Sequence, residues 1–175
     1  MYQKKSIRLK GFDYRLAGYY FVTICTAGRK QLFGECMSDR VLLSAAGKIV
    51  QDCWLAIPKL HSHTPLEEFV VMPNHVHGIV NFDESSRAEI GQMRCSSNSL
   101  PGSLATIVCA FKSASTRKLR QLSGTSERVW QEGYYEHIIR SETSLRKIRA
   151  YIQNNPIRWH LDELNDRRTG GAPLQ

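Results

Sequence analysis

The chain has 175 residues with 24 Lys and Arg against 16 Asp and Glu, a formal net charge of +8 and a pI near 9.4. That length fits one domain rather than two independent enzymes, and the surplus of cations points to a polyanionic partner. With no apolar run long enough to span a bilayer, no secretory leader and five cysteines in unpaired spacing, membrane, secreted and disulfide-framed classes fall away, and a cytoplasmic chain with reduced thiols is expected.

Residues 19–26 set Tyr20, Val22 and Ile24 against Phe21, Thr23 and Cys25, which predicts a strand covered on both faces. Over 38–57 the apolar positions Leu42, Ala46, Ile49, Cys53 and Ile57 recur at helical spacing, with Ser38 or Asp39 as cap and Pro58 as stop. A hairpin is expected next, 66–72 and 75–82, joined by a tight turn at Pro73-Asn74. Residues 83–102 cluster Ser, Gly, Asn and Pro and predict a mobile loop beside the active face. Ser103 opens a second helix whose stripe is Leu104, Ile107, Val108, Phe111, Ser115 and Leu119. Its exposed side carries Lys112, Arg117, Lys118 and Arg120.

The aromatic run 133–140 reads as a fourth strand, and Ser141 caps a last helix that turns Leu145, Ile148 and Ile152 inward and ends near Asn155, before Pro156. The resulting order predicts an α+β, ferredoxin-like antiparallel sheet (βαββαβ) with two helices on one face. The C-terminal helix carrying Tyr151 must then cross the other face. One domain is expected over 1–163, followed by a disordered tail over 164–175.

Candidate chemistry lies in two separated segments. His75 and His77 are two apart on a strand, so their imidazoles share a face while Val76 points into a core; the open rim or the middle of the sheet could hold them. Tyr151 and Asn155 are four apart on a helix and share a face too. If that helix covers the sheet, His75, His77 and the Asn155 oxygen could hold one divalent cation and leave positions open for phosphate oxygens, with Tyr151 aimed at the phosphorus. A phenol with a reference pKa of about 10 is barely ionised at neutral pH, so a cation must favour its phenolate. Attack on DNA would leave a 5′-phosphotyrosine and a free 3′-hydroxyl, which is strand transfer rather than hydrolysis.

His61-Ser62-His63 repeats the two-histidine spacing, but in a loop between Pro58 and Pro65 that would not fix two imidazoles. His137 is expected to be a packed strand residue. Lys4, Lys5, Arg8 and Lys10 together with Lys112, Arg117, Lys118 and Arg120 suit either a phosphate track or a solvated face. Trp130, Tyr134 and Tyr135 could stack on bases, although two of the three should be core.

The run Met72-Pro73-Asn74-His75-Val76-His77-Gly78, with Tyr151-Ile152-Gln153-Asn154-Asn155-Pro156 downstream, resembles the IS200-like single-tyrosine (HUH) transposases, and among them the REP-associated tyrosine transposases. Residues 18–26, Phe111-Lys112-Ser113 and 130–140 match as well, so the resemblance covers about residues 7 to 160. It implies a ferredoxin-like domain, Mg²⁺ or Mn²⁺, and single-stranded DNA containing a hairpin as substrate. Carried over by position, His75 and His77 are paired ligands, Asn155 is the third and Tyr151 is the nucleophile. Relatives do not always place asparagine at the third position. A homodimer, with the last helix serving its own or a partner's site, is left open. The competing classes are a catalytically silent hairpin-binding regulator and a small-nucleotide phosphohydrolase; for the latter, Ile79 stands where a third histidine would be expected.

Overall fold

The computed structural model describes residues 17–62, 64–83, 103–124 and 126–165. Strand β1 (Gly18–Cys25) is followed by a small hairpin, β2 (Gly34–Met37) and β3 (Arg40–Leu43), then helix α1 (Ala45–Leu55) and a single turn, α2 (Ile57–Leu60). The second half of the sheet comes from β4 (Leu66–Met72), β5 (His75–Phe82) and β6 (Tyr135–Ile139), with α3 (Leu104–Ser123) before β6 and α4 (Glu142–Asn154) after it. The main sheet has four strands in the order β4-β5-β1-β6, with every pairing antiparallel. This is the ferredoxin-like order, and it puts β5 and β1 in the middle.

Alternation along the strands sorts side chains into two cores. Tyr20, Val22, Ile24, Val76 and Val80 face α1 and α3, where Trp54, Leu104, Ile107 and Phe111 complete a buried cluster. Gly78 belongs to this face because a Cβ there would stand 2.2 Å from the Trp54 ring. The opposite face is smaller: Phe21, Ile79 and Ile139 meet Leu145 and Ile152 of α4. Helix α4 therefore crosses the open face as its apolar stripe requires. Ser141 caps it, its side chain accepting from the Ser144 N–H at 3.2 Å. The stripe read along α3 is buried at all six positions.

The helix expected over 38–57 is a correction. Its first six residues are the turn and second strand of the β2–β3 hairpin, with Ser38 in a left-handed conformation (φ 54°). The cap is Ser44, whose side chain accepts from the Gly47 N–H at 3.1 Å. Gly34, at φ 144°, lets the hairpin close; a Cβ there would lie 2.2 Å from the Leu42 carbonyl oxygen. Leu42, read as part of a buried stripe, is 66% exposed. Pro58 does not end α1 but sits in the first turn of α2, where its missing N–H costs nothing.

The loop expected over 83–102 lies, beyond Asp83, outside the described residues, as do Lys4, Lys5, Arg8, Lys10, His63 and residues 166–175 of the tail. Leu164 and Asn165, set in the tail by the sequence reading, are bonded to the rest of the domain. Among the described residues no helix is long and apolar enough to cross a membrane.

Candidate active site

His75 and His77 project from β5 onto the α4 face, with ring centroids 4.3 Å apart and almost no solvent exposure. Each ring is held by a neighbour. Asn74 Nδ2 donates to the carbonyls of Arg29 (3.2 Å) and Leu164 (2.6 Å), which turns Asn74 Oδ1 toward His75 Nδ1 at 2.8 Å. His75 Nδ1 must therefore carry the proton, leaving a lone pair on Nε2. His77 Nδ1 lies 2.9 Å from Thr23 Oγ1, its cross-strand partner on β1.

Tyr151 reaches this pair from α4. Its hydroxyl is 3.2 Å from His77 Nε2, and its ring meets Phe21 edge-on at 6.0 Å. Asn155, one turn further, is buried and bonds the tyrosine hydroxyl. Helix α4 is pinned on both sides of Tyr151: Arg149 donates to Glu67 Oε2 at 2.7 and 3.1 Å, and Gln153 donates to Glu68 at 2.6 Å.

A residue not singled out in the sequence joins the cluster. Beyond α4 a 3-10 turn, Trp159–Leu161, stacks Trp159 near His75 and delivers Asp162, whose carboxylate lies with the two imidazoles inside a 4.8 Å set of ligand atoms. Asp162 Oδ1 also accepts from the Leu164 N–H at 2.7 Å. The only trace in the sequence was an acidic residue beside an aromatic anchor, 11 positions past Tyr151, and no local period links it to the histidines.

Burial holds the pKa of His75 well below the usual imidazole range, helped by His77 and Arg29, and burial brings His77 down to about 3. Both rings are neutral at physiological pH and offer lone pairs. Tyr151 is pushed up by burial and by Asp162, against a downward pull from the Asn155 hydrogen bond. The phenolate is thus disfavoured until a positive charge arrives.

Two buried polar atoms, His75 Nε2 and Asn155 Oδ1, have no hydrogen-bond partner among the described residues. Unpaired buried acceptors cost about 1–3 kcal/mol each, and His75, in one ligand set with His77 and Asp162, together with Asn155 one helical turn from Tyr151, makes a donor set that fits a divalent cation.

The other candidates fall elsewhere. Lys112, Arg117 and Arg120 line a groove along α3, whereas Lys118 is exposed outside that lining. His61 is half-buried in the loop after α2. His137, expected to be packed, is exposed on β6, an edge strand of the sheet. Trp130 is core, packed on Phe33 and Phe111; Tyr134 is half-buried and Tyr135 is 46% exposed.

The solved structure of a REP-associated tyrosine transposase bound to a REP hairpin superposes with a TM-score of 0.59 at 18% identity, covering 89% of this chain and 77% of that one. The chain shares the fold of that transposase. A second solved chain, from Deinococcus radiodurans, aligns over 85% of this chain and 97% of its own at 19% identity and a TM-score of 0.49, too loosely to add weight. No family model matches the chain. An uncharacterised protein of Haemophilus influenzae is 39% identical over 170 residues, 94% of each chain, and the chain belongs to one family with it.

Proposed function

We propose that the protein is a metal-dependent tyrosine transposase that cleaves and rejoins single-stranded DNA beside hairpin repeats. The observation that carries this reading is the Tyr151 hydroxyl 3.2 Å from His77 Nε2, beside two buried acceptors that lack partners among the described residues. His75, His77, Asn155 and Asp162 would hold Mg²⁺ or Mn²⁺, which when bound neutralises the scissile phosphate and favours the phenolate.

The residues of the chain do the rest. Phe21 and the Arg149–Glu67 and Gln153–Glu68 pairs hold Tyr151 in one pose, so little orientational freedom is lost at the moment of reaction. The phenolic oxygen bonds to phosphorus, losing its proton, while the bond to the 3′ oxygen breaks and that oxygen gains a proton. A 5′-phosphotyrosine and a free 3′-hydroxyl result, and the reverse attack by a 3′-hydroxyl rejoins the strands. No water is consumed.

Because His77 and Tyr151 meet within one chain, this reading does not require a homodimer. We place the protein in the cytoplasm, where its DNA would be. A phosphohydrolase fits poorly, since Ile79 at the would-be third histidine is packed among Phe21, Leu145 and Ile152.

The test is incubation with hairpin-bearing single-stranded DNA and Mg²⁺ or Mn²⁺, followed by denaturing electrophoresis. A protein–DNA adduct that Tyr151→Phe abolishes is expected. Hairpin binding without any adduct would favour the silent regulator instead.

A further inference from the structure

Strand β6 turns Tyr135, His137 and Ile139 to the face that carries the histidines, since they stand directly across from Thr23, Phe21 and Tyr19 of β1. Helix α4 covers Ile139 but leaves Tyr135 and His137 exposed. The helix leans the other way: Arg149 and Gln153 bond Glu67 and Glu68 of β4, the far edge of the sheet. Ser144, Lys147 and Tyr151, spaced by three and four residues, occupy its opposite flank. Ser144 shares with His137, Arg140 and Ser141 a cavity of about 360 Å³ that no carboxylate borders, so this flank looks onto β6. A trough results, with Tyr151 on its wall and Tyr135 and His137 on its floor.

The row of side chains that crosses the sheet at His77 ends on Tyr135. His77 pairs with Thr23 and Thr23 with Tyr135, so two strand spacings, roughly 10 Å, separate Tyr135 from the histidine that the Tyr151 hydroxyl meets. Phe21 lies between the two tyrosines, its ring 6.0 Å from that of Tyr151 and 6.3 Å from that of Tyr135, edge to face in both cases. Tyr135 is thereby held beside the nucleophile while nearly half of its surface stays open.

The other aromatic residues of this segment are spent inside the fold. Trp130 is wedged between Phe33 and Phe111, with its indole N–H given to Ser115 Oγ at 3.1 Å, and Tyr134 packs on the core beneath α1 and α3. Every nucleobase presents a π-face whatever its identity, and exposed rings beside positive charge are how unpaired strands are held. The charge is present along the trough: Lys147, four residues before Tyr151, and Arg140, at the end of β6, are both exposed.

We propose that Tyr135 is a stacking platform for one nucleobase of unpaired DNA next to the scissile phosphate, and that it presents this phosphate to Tyr151 irrespective of base sequence. The proposal rests on the strand-transfer reading for which phosphate is meant, but not for the stacking itself.

The experiment is fluorescence anisotropy of the full chain, in EDTA so that no cleavage intervenes, with a labelled DNA hairpin that bears an unpaired flank and with the same hairpin trimmed of it. One lost base stack corresponds to about 5- to 150-fold in affinity, so Tyr135→Ala and Tyr135→Leu should each bind the flanked hairpin more weakly by that factor. Tyr135→Phe should match the parent, and the trimmed hairpin should bind all four proteins alike. When flank bases are replaced one at a time by an abasic site, the parent should weaken at one position, where Tyr135→Ala loses nothing more. Parental affinity for the flanked hairpin in Tyr135→Leu, at the parent's thermal midpoint, would overturn the platform alone, and so would an equal loss on the trimmed hairpin. A Tyr135-dependent flank contact in a protein that forms no Tyr151 adduct with Mn²⁺ would keep the platform and sink the strand-transfer reading. Absence of binding by the parent to either hairpin would end both.

Discussion

Asn74 governs the chemistry of His75 without touching a substrate. Its amide N–H groups are spent on two backbone carbonyls, so only its oxygen is left for the imidazole, and that choice fixes which ring nitrogen is free. Partners of this kind typically account for 10–100-fold in metal affinity. Asn74→Ala should accordingly weaken Mn²⁺ binding by roughly that factor, read as growth of the free-ion signal in electron paramagnetic resonance. Asp162→Asn keeps an oxygen for the Leu164 N–H but removes the charge, so it too should bind Mn²⁺ less tightly, with an unchanged melting temperature in metal-free buffer. Tyr151→Phe should lose the DNA adduct while binding Mn²⁺ at least as well as the parent, since the hydrogen bond it gives up competes for His77 Nε2. Equal Mn²⁺ affinity in parent, Asn74→Ala and Asp162→Asn would refute the proposed donor set. The histidine pair and Tyr151 with Asn155 were legible because strand and helix periods are local. Thr23 and Asp162 were not, because each reaches the site through a register or a turn that no spacing encodes.

Secondary-structure elements here are placed by a few close contacts. Gly78 lets Trp54 of α1 lie flat on β5, and Gly78→Ala should cost about 1–3 kcal/mol in chemical denaturation through overpacking. The pairing of Arg149 with Glu67 sets the height of α4 over the sheet. Arg149→Met should slow adduct formation roughly tenfold with Mn²⁺ affinity untouched, as a small misplacement of a nucleophile does; Arg149→Glu combined with Glu67→Arg should restore part of the rate. Of the elements, α3, β4, β5 and α4 followed from periodicity and caps. The β2–β3 hairpin did not, because Leu42 and Ala46 are four apart by coincidence: one lies on an exposed strand and the other on a helix begun by Ser44.

At the scale of the whole molecule, part of the surplus of positive charge is gathered along α3, where Lys112, Arg117, Arg120 and Arg128 line one groove. One of the groove's cations is titratable near neutrality. Burial brings Lys112 down to about 8, a fall opposed by Cys25 and Cys109 and reinforced by Arg128, while its ammonium donates to the carbonyls of Gln131 and Gly133. Below that value the lysine is charged and adds to the attraction for phosphate; as pH rises through about 8 the charge is lost. Hairpin affinity should therefore fall between pH 7 and 9, and Lys112→Met should flatten that dependence, as read by fluorescence anisotropy of a labelled DNA hairpin. The bearing of net charge on partner class was readable from composition, but its concentration in one groove required the fold to bring Arg128 back against α3.

The Leu164 carbonyl that holds Asn74, and through it His75, also has a temporal meaning. A nascent chain emerging from the ribosome would expose its histidines long before residues 151–164 arrive to supply the nucleophile and lock the rings. Under the proposed chemistry, a half-made polypeptide would be inert toward the genome around it, and cutting competence would appear only once translation has passed that point.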